Sequence, residues 1–199
     1  MNYRMAALGL GLLIGVSCQQ KVATAPSPPS PLEDSSFLPV LDLLKEDRER
    51  VISEAGGILQ KTTGGSSPDS VFLTLEQFLS LSSSFLLPEL DSARFQGSFA
   101  ETSFLDESTG LLSFLYSRQK DSGRLKQVIV YISPGATKDQ VDRISLDLQE
   151  PTPEGERNSK MTWKIKQYFM IVTETTSKNG VRKRTVQRVI WDPNQFASE

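Results

Sequence analysis

Residues 163–191 read WKIKQYFMIVTETTSKNGVRKRTVQRVIW, and the folding of this stretch decides the class of the whole chain. Both halves are rich in β-branched and aromatic residues, which suit a pleated, half-buried strand. Between them lies Asn179-Gly180, a dipeptide suited to the positive φ angles of a tight hairpin turn. The stretch therefore predicts a long strand pair. A two-residue turn pairs Lys178 with Val181, and the register follows: Tyr168 opposite Trp191, Phe169 opposite Ile190, Met170 opposite Val189. Near the base both faces are apolar, so the base is expected to be clamped in a core. Toward the tip Lys178, Arg182, Lys183 and Arg184 cluster, with Arg188 further down and Thr173, Thr175 and Thr176 on the opposing strand.

Upstream, the same period of two recurs. Phe95, Gly97 and Phe99 alternate, as do Leu112, Phe114 and Tyr116, then Val128, Val130 and Ile132, then Ile144, Leu146 and Leu148. The turn-forming segments DESTG, KDSG and SPGATK separate them. With the last hairpin this makes about six strands in an antiparallel meander.

Further upstream the period is helical. Phe37, Leu41, Leu44, Val51 and Ala55 fall near one face of a helix over 36–55, opposite Lys45, Glu46, Arg48, Glu49 and Arg50. Ser35 or Ser36 is placed to cap it, Pro39 falls in its first turn, and Gly56-Gly57 ends it. KTTGGSSPDS then reads as a loop. Thr74 and Gln77 have the spacing of a capping box, flanked by Leu73 and Phe78, and predict a helix over 75–84 that Pro88 closes. The expected fold class is α+β: two N-terminal helices packed on a six-stranded antiparallel meander, forming one domain over 35–199.

PGATKDQV, residues 134–141, resembles the helix-opening segment of the small outer-membrane assembly lipoproteins. That resemblance implies a helix. The following DRISLDLQEP alternates at period two, however, so the segment reads as a turn followed by a strand.

The N-terminus carries an address. Arg4 precedes twelve uncharged residues, 5–16, too few for a membrane span of about 20 residues and suited to a secretory signal. Gly15-Val16-Ser17-Cys18 then resembles the lipobox of bacterial lipoproteins, with Gly15 where that family usually has Leu. The resemblance implies cleavage before Cys18 and lipidation of its thiol. Gln19 in place of Asp implies sorting to the outer membrane. Residues 1–17 are thus expected to be a signal peptide. Residues 18–34 are the lipidated Cys and a Pro/Ser-rich tether, in which Pro26, Pro28, Pro29 and Pro31 favour extended structure.

Composition narrows the function. There is no histidine, and Cys18 is the only thiol. No Ser/His/Asp or Cys/His site, intrachain disulfide or cysteine metal cluster can be assembled. No cofactor or metal is expected. A formal charge of −2 offers no global field for nucleic acid. The expectation is a non-catalytic envelope lipoprotein, held to the membrane by its anchor, that binds another protein or scaffolds an assembly. The alternative is a lipid or acyl-chain carrier, whose sheet would enclose a cavity lined by Phe95, Phe99, Phe114, Tyr116 and Val130. Such an architecture resembles the half-barrels of outer-membrane lipoprotein carriers and their receptor. The basic hairpin end, Lys178, Arg182, Lys183, Arg184 and Arg188, reads in two ways. It is a solvated sheet edge, or a contact to an envelope protein, an anionic lipid or an anionic polymer.

Overall fold

The hairpin forms, with a three-residue loop in place of the expected two. In the computed structural model, which describes residues 37–65, 69–120, 122–133 and 140–196, strand β8 (Tyr168–Ser177) turns through Lys178, Asn179 and Gly180 into β9 (Arg182–Ile190). Gly180 N–H donates to Ser177 O at 2.9 Å, and Ser177 N–H donates to Val181 O at 2.9 Å. Gly180 takes φ +82°, where a side chain would be strained. A turn closed by one such residue is the usual three-residue hairpin. The extra loop residue moves the pairing by one. Phe169 faces Val189, Met170 faces Arg188, and Tyr168 faces Ile190, correcting the two-residue register.

The described residues form one nine-stranded antiparallel sheet and three α-helices, where six strands and two helices were expected. Strands β3 (Phe99–Asp106), β4 (Leu111–Arg118), β5 (Leu125–Ile132), β6 (Val141–Thr152), β7 (Gly155–Lys164), β8 and β9 follow one another as a meander. Strands β1 (Leu59–Thr63) and β2 (Asp69–Phe72) add on beyond β9. They occupy the segment expected to be a loop. At Gly64 the backbone runs so close to β9 that a Cβ would meet Arg184 O at 2.1 Å. Strand β7 is the third addition. The apolar Trp163 ends it rather than opening β8, because the chain reverses at Ile165, Lys166 and Gln167.

Helix α1 (Val40–Glu54) starts just after Pro39, later than expected, and buries Val40, Leu44, Asp47 and Val51 on one stripe. Helix α2 (Leu75–Ser82) opens with the expected capping box: Gln77 N–H donates to Thr74 Oγ1 at 3.3 Å, and Thr74 N–H donates to Gln77 Oε1 at 2.8 Å. A 3-10 turn, Ser83–Phe85, follows. Helix α3 (Ser92–Ser98) takes the place of the first predicted strand, so that only Phe99 of that alternation begins β3. Phe95 and Phe99 are both buried, four residues apart, a helical spacing.

The core lies between the helices and one face of the sheet. Phe85 packs on Trp163 and Phe169, each at 5.1 Å between ring centres, and Phe78 packs on Trp191 at 5.9 Å. Asp47, itself buried, fastens α1 to the β7–β8 turn. Its carboxylate accepts from Trp163 Nε1 at 2.8 Å and from the Lys166 backbone N–H at 3.0 Å. Arg50 donates to its other oxygen at 2.8 Å. Lys166 sits at φ +66°, unusual for a residue with a side chain. The bond to Asp47 holds the turn in that conformation.

The chain divides into two units, Met1–Ser35 and Ser36–Glu199. The expected signal peptide, Cys18, the expected tether, the expected cap at Ser35 or Ser36 and most of the 134–141 segment lie outside the described residues.

Candidate functional site: an amphipathic groove on the helix side of the sheet

The register of β6 to β9 arranges the helix-side residues in rows across four strands. The first row is Ile144, Trp163, Phe169 and Val189, all buried under the helices. The second is Leu146, Met161, Ile171 and Gln187, and the third is Leu148, Ser159, Thr173 and Thr185. The fourth is Glu150, Arg157, Thr175 and Lys183. Along the strands this face therefore passes from aromatic to aliphatic to hydroxyl to charged. Each row is two residues, about 6.7 Å, from the next.

The helices and the segment after α2 cover the first rows only. Beyond them a groove of about 510 Å3 opens, with Leu86, Leu87, Leu148, Met161 and Ile171 lining its apolar part. Ser159, Thr173, Thr175 and Thr185 line its middle, and Arg124, Arg157 and Lys183 stand at its charged end. The size is that of a small-molecule pocket, for which about 300–1,000 Å3 is usual. The cations differ in their company. Arg124 lies 3.1 Å from Glu150 and 3.8 Å from Glu89. Arg157 and Lys183 are exposed and make no ion pair among the described residues.

The structure separates the five basic residues singled out in the sequence. Alternation sends Lys183 into the groove and Arg182, Arg184 and Arg188 to the opposite face. Arg184 stands 3.6 Å from Glu174 on the neighbouring strand. Arg188 lies 4.1 Å over the ring of Tyr168, and its guanidinium donates to Gln195. Lys178 is exposed in the loop, its backbone N–H donating to Glu154 O at 2.8 Å. Comparison with known protein families, with curated proteins and with solved structures found no match.

Arg157 and Ser159 were missed in the sequence. Their signal is the alternation Arg157, Ser159, Met161, Trp163 in RNSKMTW, legible once β7 is seen to end at Lys164. The side chains expected to line an apolar cavity are instead packed on one another. Phe95 lies 4.8 Å from both Phe99 and Tyr116, Phe37 closes on Phe95 at 5.5 Å, and Phe114 and Val130 are buried. Two further clefts, of about 410 and 390 Å3, flank Arg50 and Lys166 beside α1. Both mix these cations with carboxylates such as Glu46, Glu54, Asp142 and Asp192, and present no single sign of charge.

Proposed function

We propose that the protein is a lipoprotein of the bacterial envelope, anchored in the outer membrane through Cys18, whose folded domain is a non-catalytic binding module. The observation that supports binding is the groove, with its apolar floor, its hydroxyl middle and, at one end, two cations that make no ion pair among the described residues. The interlocked aromatics around Phe95 and Tyr116 favour this reading over a carrier with a closed apolar cavity. Metabolic labelling with a fatty acid, which should be lost in Cys18→Ala, tests the anchor. A photo-crosslinking residue placed in cells at Thr175, and in a second strain at Thr176 on the opposite face, tests the module. Adducts are expected from position 175 and not from 176. Adducts from 176 alone, or from neither, would remove the groove from the reading.

A further inference from the structure

We infer that the groove takes a single anionic amphiphile, with a phosphate head held between Arg157 and Lys183 and an acyl chain along Ile171, Met161 and Leu87. This rests on reading the groove as the binding site of the domain. Arg157 on β7 and Lys183 on β9 each pair in register with Thr175 on the strand between them. Adjacent strands lie about 4.8 Å apart, so the two cations rise from backbone positions about 10 Å apart on the same face. Both side chains are long enough to meet over Thr175. A guanidinium and an ammonium converging beside a hydroxyl match the several acceptor oxygens of a phosphate.

The pairing of the neighbouring charges supports this placement. Glu150, the only carboxylate lining the groove among the described residues, is next to Arg157 in its row and is held by Arg124 at 3.1 Å. Arg124 and Glu150 thus offset each other at the β6 side, which leaves Arg157 and Lys183 as the pair of cations open to an anion. On the opposite face Arg184 already has Glu174. Arg157 and Lys183, which face the groove from β7 and β9, make no ion pair among the described residues.

The other end of the groove calls for a hydrocarbon. Met161, Leu87 and Leu148 are buried, and Ile171 is half-buried beside them. Methionine adapts its shape to an apolar guest. Between floor and head, Thr173, Thr185 and Ser159 offer hydroxyls at the depth where a polar linkage would lie. The apolar residues are recessed between the sheet and the segment after α2, so the fit is to one chain and not to a bilayer surface.

The test is calorimetric titration of the full 199-residue chain carrying Cys18→Ser, so that no anchor competes for the groove. Dodecyl phosphate is titrated below its micelle concentration, with inorganic phosphate and dodecyl maltoside as the head-only and uncharged comparisons. Dodecyl phosphate should bind one-to-one and more tightly than either comparison. Arg157→Gln with Lys183→Gln should weaken it at least about tenfold, the scale of losing two charge-assisted hydrogen bonds. The unfolding midpoint should not move, since both side chains are exposed. Arg182→Gln with Arg184→Gln, on the other face, should bind like the parent. No binding of dodecyl phosphate, equal affinity for the maltoside or for inorganic phosphate, or an unchanged affinity in the groove double variant would overturn the inference. Crosslinks from position 175 in cells, together with that failure, would leave a binding module with a different ligand.

Discussion

Tyr116 shows how burial sets the chemistry of a single side chain. It is fully buried, and its hydroxyl oxygen accepts the Leu38 N–H at 3.2 Å. Burial raises the phenol well above its ordinary value of 10.0; the bond from Leu38 works in the other direction, and the Glu101 carboxylate adds to the rise. The folded state therefore keeps a proton that the unfolded chain releases above about pH 10. The stability contributed by the neutral phenol is complete below that pH and lost as pH climbs past it. Tyr116→Phe should be less stable at neutral pH, because the Leu38 N–H loses its acceptor, and should lose less stability on going alkaline. Denaturation midpoints of both proteins across that range check this, lysine titration being common to the two. Parallel curves would show that Tyr116 does not contribute to the alkaline loss. At the same scale Lys183 and Arg184 show what composition hides. They are adjacent in sequence, yet one faces the groove and the other meets Glu174 across the sheet.

Between elements, the contact with the clearest consequence is Asp47. It joins α1 to the β7–β8 turn by accepting from Trp163 and Lys166. Asp47→Ala should leave the buried indole N–H without a partner, at a cost of about 1–3 kcal/mol for that donor alone. Asp47→Asn keeps an acceptor and should cost less. Equal unfolding midpoints for wild type and Asp47→Ala would mean that the clamp adds nothing. Elements with a local signal were legible: the Thr74–Gln77 box, the apolar stripe of α1 and the alternation of β4, β5 and β6. Others lacked one. Strands β1 and β2 carry Gln60, Lys61, Thr62, Asp69 and Ser70, and β2 is a sheet edge, so no apolar alternation marks them. Helix α3 has seven residues, too few to show a helical period against Phe95, Gly97 and Phe99. The Asn-Gly turn marked the hairpin but not its loop length, which also suits a three-residue loop with glycine last. The groove was half legible for the same reason. Lys183 and the threonines were visible as residue types, whereas the face they share with Arg157 depends on where β7 ends.

At the scale of the whole molecule, the meander pairs most strands with their neighbours in sequence, and its two edges differ. Strand β2 is only four residues long and begins with Asp69, although Phe72 stays 65% exposed beside Phe196. Strand β3, the other edge, is eight residues long and leaves Phe104 and Leu105 exposed before it ends at Asp106, whose carboxylate accepts from Ser108. Short strands and edge charges discourage pairing with other chains, and of the two edges only β2 is short. The buried apolar residues that hold the sheet to its helices run from Leu38 to Trp191. The aromatic cluster of Phe78, Phe85, Trp163, Phe169 and Trp191 draws α2, the 3-10 turn after it and the last three strands into one core. A domain of about 150 residues buries about 68–70% of the surface its unfolded chain exposes, enough to fold without help. Residues 36–199 should therefore fold alone once residues 1–35 are removed. Denaturant unfolding of that fragment, followed by tryptophan fluorescence from Trp163 and Trp191 and by far-ultraviolet circular dichroism, should give coincident cooperative transitions. Its midpoint should match that of the full chain carrying Cys18→Ser. A broad, probe-dependent transition, or a midpoint well below that of the full chain, would show that residues 1–35 contribute to the fold.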